Sequence, residues 1–371
     1  MNFWQALPKP IIVLAPMADV TDAAFRRMIA KYSAHTRKDG TVGGPDVMWT
    51  EFVAADGLAR ATEEGKRKLM ADLMYDESER PIVAQLFSSN EEYMESAARL
   101  CRELGFDGVD INMGCPDRSI EKQGCGSAMI KNPAQARAII RAAKRGAGDI
   151  PVSVKTRLGY NQDQLEEWLP ELLAEEPAVI TVHARTRKEM SKVPARWERL
   201  KRAVEIRNEL GSQTLIFGNG DVESVEDAQQ KAEASGADGV MLGRAIFGNP
   251  WLFSPEKTLP ERITSSETSM LAHRTSLYDS LRKLLLPRSS SLSAPFQKKK
   301  EIVSLNERLK VMVEHTKLFE ELLGFKNFAI MKKHYKAYVN GFDGAKELRV
   351  ELMEANSAAE VEQIVSRFPN S

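Results

Sequence analysis

The chain has few cysteines, no surplus of either charge and no long apolar run. Three cysteines occur in 371 residues, at positions 101, 115 and 125. So sparse and odd a set excludes a disulfide framework and points to a reducing compartment. Lys plus Arg and Asp plus Glu are both 52, so overall charge singles out no partner. No stretch approaches the roughly 20 apolar residues of a membrane span. The opening MNFWQALPKPIIVLAPM lacks a basic start, and its apolar run is short and flanked by proline, so no secretory signal is expected. No further Cys/His pair stands at ligand spacing to Cys115 and Cys125, so no metal is expected. The expectation is a cytoplasmic monomer without a membrane segment.

The hydrophobic fraction of 43% suffices for a sizeable core. Eight β-rich runs recur: 10–17, 46–53, 81–87, 108–114, 152–158, 179–185, 215–221 and 239–245. Helical patterns separate them, as at 91–105, 133–146 and 224–236, the last with Ser224 as N-cap and Gly236 as its stop. Eight β–α units in about 250 residues predict a TIM (β/α)8 barrel. An open doubly wound sheet is the alternative, but no Gly-rich fingerprint follows the first run. Residues 34–46 read as a loop. Beyond 255 the strand signals stop. Helical periodicity returns at 270–286, 301–323, 325–340 and 343–355, with a Ser/Pro-rich, then basic loop at 287–300. The predicted organisation is a barrel over 1–255 and a C-terminal all-α helical domain over 256–371.

Each run ends on polar or conformationally special residues, and in a barrel those ends converge on one rim. GNGD (218–221) and Gly243–Arg244 close the seventh and eighth runs, where barrels commonly bind phosphate. Arg244 could grip a phosphate bidentately. Lys155 and His183 end the fifth and sixth runs, and a buried lysine needs an anion. The N1–O2 edge of a reduced flavin would serve, and Gln85 offers a donor and an acceptor to the ring. Schiff-base chemistry by Lys155, or a plain salt bridge, are the alternatives. Cys115 lies on the same rim in DINMGCP (110–116). It could protonate a carbon while flavin delivers hydride to its neighbour, act as a nucleophile, or be a small buried hydrophobe. Cys101, within an amphipathic helix, fits the last description.

The motifs APMADVTDAAFR (15–26), AQLF (84–87), DINMGCP (110–116), GCGSAMIKNP (124–133), VKTRLG (154–159), VHARTR (182–187), GNGD (218–221) and GRAIFGNPWLF (243–253) run through the chain in order. MKKHYKAYVNGFDGAKELR (331–349) continues them into the helical part. The chain resembles the tRNA-dihydrouridine synthases, FMN enzymes that reduce uridines of tRNA with electrons from NADPH. The resemblance implies that Cys115 protonates uracil C5 while hydride reaches C6. It implies that Pro16, Met17 and Ala18 pack the flavin, and that Gln85, Lys155 and His183 bind its ring. Asn219, Gly220, Asp221, Gly243 and Arg244 would hold ribityl and phosphate, and Asn112 would border the uracil. Asp19 and Ala184 depart from the family's usual glycines, and Cys125 sits within the glycine turn.

An independent argument favours RNA. Residues 282–349 hold 15 Lys/Arg against 7 Asp/Glu, in a chain of zero net charge. Lys326, Lys332, Lys333, His334 and Lys336 fall in an acid-free stretch, 322–340, interleaved with Phe and Tyr. Such a run suits a phosphate backbone. Lys332, Lys333 and Lys336 are therefore expected to contact tRNA, as are Arg185 and Arg187 on the rim. A small-molecule flavin reductase would explain the rim but not this appendage.

Overall fold

The computed structural model describes residues 2–37, 40–260 and 301–368. Eight parallel strands form one sheet: β1 Ile11–Leu14, β2 Met48–Ala54, β3 Ile82–Phe87, β4 Gly108–Asn112, β5 Val152–Arg157, β6 Val179–His183, β7 Leu215–Asn219 and β8 Gly239–Leu242. Neighbours pair in chain order, and β1 pairs with β8. The remaining seam closes through Asp46 N–H to Ile12 O at 2.8 Å and Leu14 N–H to Val47 O at 3.1 Å. The result is the predicted barrel.

Strand side chains alternate between two cores. Outward residues such as Ile12, Val154, Val182 and Val240 join the apolar layer beneath the helices. Inward residues at the strand starts form a separate apolar plug: Ile11, Val83, Val179, Phe217 and Met241, with Trp4 sealing the floor. One pleat further along, the inward positions turn polar: Gln85, Asp110, Ser153 and Thr181. At the last inward positions stand Asn112, Lys155, His183 and Asn219. Register aligns Asn112 with Lys155 and His183 with Asn219, which gathers these groups at one mouth.

The predicted boundaries need three corrections. Residues 34–46 contain a small hairpin, His35–Thr36 against Val42–Gly43, rather than loop alone. Strand structure does not end at 255, because Lys257–Thr258 pairs with Glu301–Ile302. The helix expected from 301 starts only at Leu305, where Ser304 caps it through the Glu307 amide. The expected elements at 270–286 and 287–300 lie outside the described residues.

Helices Leu305–Leu323, Ile330–Tyr338, Ala345–Glu354 and Ala358–Arg367 form the C-terminal bundle; the last follows Ser357 as N-cap and was not expected. The bundle core includes Met312, Phe319, Tyr335, Tyr338 and Leu352. It takes in Ala24 and Met28 from the first barrel helix, Ala23–Tyr32, as well as Trp251. The packing between barrel and bundle is thus continuous apolar core. No helix among the described residues is long and apolar enough to cross a membrane.

Candidate active site

Cys115 follows β4 by three residues, and neighbouring elements hold its backbone at both ends. Asn112 Oδ1 accepts from the amides of Gly114 at 3.1 Å and Cys115 at 2.9 Å. The Cys115 carbonyl accepts from the amide and hydroxyl of Ser127, at 3.0 and 2.9 Å. Gly126 makes this approach possible: its φ is +59°, and an added Cβ would stand 2.7 Å from Cys115 O. Arg157 reaches across from β5, its Nε donating to Gly114 O at 2.7 Å. The thiol itself is half-buried. Burial pushes its pKa up, against a smaller downward pull from Arg157 and Lys155. It stays protonated at neutral pH.

A directional relay sets the side chain of Asn112. Asp110 is 1% exposed, and burial raises its carboxyl to about 6. Ser153 Oγ and Gln85 Nε2 each donate to it at 2.6 Å. Because a carboxylate only accepts, Gln85 must present Oε1 on its other side. There it receives Asn112 Nδ2 at 3.2 Å, which leaves Asn112 Oδ1 for the two amides before and at the thiol. Asn112 is therefore committed to shaping the Cys115 turn. Asp110 was missed as a functional residue, although its i, i+2 spacing to Asn112 puts both inside the barrel.

Across the mouth, Lys155 lies within the barrel and donates to Asn219 Oδ1 at 3.3 Å. Among the described residues it makes no ion pair. Burial and the nearby Arg157 pull its ammonium down to about 8, against an upward pull from the Asp110 carboxylate, so the cation persists at neutral pH. Burial, with Arg157 and Lys155 nearby, drives His183 well below its ordinary value, leaving the imidazole neutral. Gly220 beside it has φ +123°, and an added Cβ would meet Ala195 Cβ at 2.9 Å and His183 Cδ2 at 3.1 Å. Only glycine suits that position.

Asp221 is saturated. Oδ1 accepts from Arg244 at 2.6 Å, and Oδ2 from the Ala195 amide at 2.8 Å and from the Arg185 guanidinium. It orients Arg244, whose side chain is 65% exposed and faces out from the β8 turn. Arg185 is 2% exposed and also donates to Val193 O, so its charge is used internally. Arg187 pairs with Glu121 and stacks on Tyr160. The two arginines expected to contact tRNA thus already brace the rim loops through these partners. After β1, Pro16 and Met17 are half-buried and Ala18 is exposed. A Cβ on Gly243 would lie 3.6 Å from Met17 Sδ, so the ends of β1 and β8 adjoin.

The basic run divides. Lys332 and Lys333 are half-buried and Lys336 is exposed, whereas His334 is fully buried. Lys333 Nζ stands 3.7 Å from Asp19 Oδ2. Lys326 is turned inward onto Glu51 and Asp72, so it is no part of an RNA-facing surface. Cys101 is buried in the helix Glu91–Glu103, as expected. Cys125 is buried too, its Sγ 3.5 Å from Gln123 O. Among the described residues no three His, Cys, Asp or Glu gather as a metal site.

Thiol, half-buried cation and neutral imidazole at the C-terminal mouth of a (β/α)8 barrel define a barrel enzyme with its chemistry on the strand-end rim. The chain belongs to the dihydrouridine synthase family, which it matches over residues 13–371. It is 36% identical over 369 residues to the probable tRNA-dihydrouridine synthase of Staphylococcus aureus (strain COL), covering 99% of this chain and 95% of that one. Identity to the probable tRNA-dihydrouridine synthase 2 of Bacillus subtilis (strain 168) is 37% over 368 residues, covering 99% and 96%. Among solved structures, morphinone reductase in complex with tetrahydroNAD aligns with a TM-score of 0.42 at 14% identity, over 65% of this chain and 85% of that one.

Proposed function

We propose that this protein reduces a D-loop uridine of tRNA to 5,6-dihydrouridine in the cytoplasm, with FMN as cofactor and NADPH as electron source. The observation that carries the proposal is a protonated thiol, Cys115, sharing one rim with a half-buried lysine that makes no ion pair among the described residues. That lysine fits FMN: a cation held in the barrel with no carboxylate at ion-pairing distance among the described residues suits a ring edge that becomes anionic on reduction.

Gln85, Lys155 and His183 would hold the polar edge of the ring, with Pro16, Met17 and Ala18 packing beside it. Asn219, Gly220 and Gly243 leave room for the ribityl chain, and Arg244, oriented by Asp221, would take the phosphate. Bound FMN supplies the hydride that reaches uracil C6. The chain's own part is the proton. Burial keeps the Cys115 thiol protonated, and the Asn112 and Ser127 hydrogen bonds fix its backbone, so it can donate to C5. Residues 1–255 would carry this chemistry. Residues 256–371 would grip tRNA through Lys332, Lys333 and Lys336.

Replacing Cys115 by Ala tests the assignment. The variant should retain flavin and still be reduced by NADPH. Its dihydrouridine formation on tRNA, measured in single turnover, should fall by roughly 10²–10⁴-fold, the usual worth of a positioned acid. Turnover at the wild-type rate would mean that another group supplies the proton.

A further inference from the structure

Lys326 belongs to the C-terminal bundle by sequence, yet its ammonium enters the barrel. It lies 2.9 Å from Glu51 Oε2 on β2 and 2.5 Å from Asp72 Oδ1, with 16% of its side chain exposed. Glu51 is 6% exposed, and its other oxygen, Oε1, accepts the backbone amide of Asp19. Asp22 is also buried at this junction, and its Oδ2 has no hydrogen-bond partner among the described residues. Three barrel acids thus converge where one bundle cation enters.

The segment that Glu51 holds is the turn after β1. Asp19 sits at its corner with φ +51°, in the left-handed region that a non-glycine residue adopts only where its surroundings enforce it. The turn wraps round Met17. The amides of Val20 and Thr21 donate to Met17 O at 3.1 and 3.0 Å, and Thr21 Oγ1 accepts the Met17 amide at 2.9 Å. Met17 in turn borders Gly243 at the β8 end. An unbroken chain of contacts therefore runs from the helical bundle to the rim: Lys326, Glu51, Asp19, Met17.

We propose that Lys326 is a positioning residue for the flavin site: by pairing with Glu51 it fixes the Asp19 corner and so seats Met17 at the mouth of the barrel. The helical domain then completes the cofactor site, in addition to any part it takes in RNA binding. This inference rests on the flavin reading above. Without Lys326, Glu51 would be buried beside Asp72 and Asp22 with no cation, a state relieved by protonation or by movement of the turn. A lysine acting only on RNA would have no such effect.

The test is FMN release from the purified, full-length holoprotein, followed by the fluorescence of freed flavin on dilution and by the visible spectrum of bound flavin. Lys326→Met should release FMN on the order of tenfold more readily, the effect of one lost charge-assisted contact, and shift the bound-flavin spectrum. Lys326→Arg, which keeps the cation, should restore retention. Glu51→Gln should resemble Lys326→Met, and it serves in its place if that variant does not fold. Asp72→Asn should lower thermal stability but leave flavin release unchanged, because Asp72 does not touch Asp19. FMN release equal to wild type in Lys326→Met and Glu51→Gln, or an equal rise in Asp72→Asn, would overturn the proposal. A wild-type protein that binds no flavin would overturn both this and the reading beneath it.

Discussion

The junction between barrel and bundle should fail in acid, and two histidines set where. His315 and His334 are both 0% exposed, with ring centroids 4.7 Å apart. Phe25 from the barrel and Phe247 after β8 flank them, with Tyr338 from the bundle. All four ring nitrogens lack a hydrogen-bond partner among the described residues. Burial drives His315 down to about 3, and His334 falls well below its ordinary value by burial and by the nearness of His315 and Lys333. The native state therefore keeps neutral rings while the unfolded chain takes up protons below about pH 6.5. Fewer protons bound when folded means that stability falls as pH drops through that value, and goes on falling towards the folded value. For His315 alone the loss between about pH 7 and about pH 4.5 is roughly 2.5 kcal/mol. His334 adds in the same direction, against a total stability of about 5–15 kcal/mol. Urea midpoints at the two pH values measure it. His315→Leu should lose distinctly less stability on acidification than wild type. It should be no less stable at pH 7, because it removes two unpaired buried nitrogens. Equal acid losses in the two proteins would refute the reasoning and place acid sensitivity in the carboxylates.

Two further outcomes follow from the site. Arg244→Ala should weaken FMN by about 1.5–3 kcal/mol, the range for a charge-assisted contact, and leave riboflavin affinity unchanged. Equal loss of both flavins, measured by fluorescence titration, would take Arg244 off the phosphate. Replacing Lys332 and Lys336 by Glu should weaken tRNA binding and reduce the log–log salt slope by about 0.9 or less per lost phosphate contact. Lys333 is left alone in this test because it already faces Asp19. Unchanged affinity and slope would make the run an ordinary solvated helix face.

What could be read from the sequence was whatever depends on local order. The eight runs are contiguous, so their count and order gave the barrel, and each strand end carried its polar group in sight. Ser224 and Gly236 marked a helix correctly because capping is decided within a turn. Pairing across the barrel was hidden. Arg185 and Arg187 look like free rim cations until Asp221, after another strand, and Glu121, from a short helix beyond β4, are brought beside them. Asp110 looked like part of a strand, because its function is to aim Gln85, which is 25 residues away. The parallel pair at 257–258 and 301–302 was invisible for the same reason: two-residue strands have no periodicity to detect.

The acid-free stretch shows how composition misleads when partners are remote. Counted along the chain, Lys326, Lys332, Lys333, His334 and Lys336 form one basic run suited to RNA. In the fold they separate by helical phase and by depth. His334 is buried against His315, Lys326 neutralises acids of β2 and its neighbour, and Lys333 stands near the corner of the β1 turn. Lys332 and Lys336, four residues apart on the helix Ile330–Tyr338, remain without an acid inside ion-pairing distance among the described residues. The local absence of acids therefore has two causes. One, on the function proposed above, is a surface kept positive for an anionic partner. The other is that the acids facing Lys326 and Lys333 are supplied by the barrel. A positive count in one domain measures both its partner's charge and its neighbour's, and only the pairing made in the fold tells the two apart.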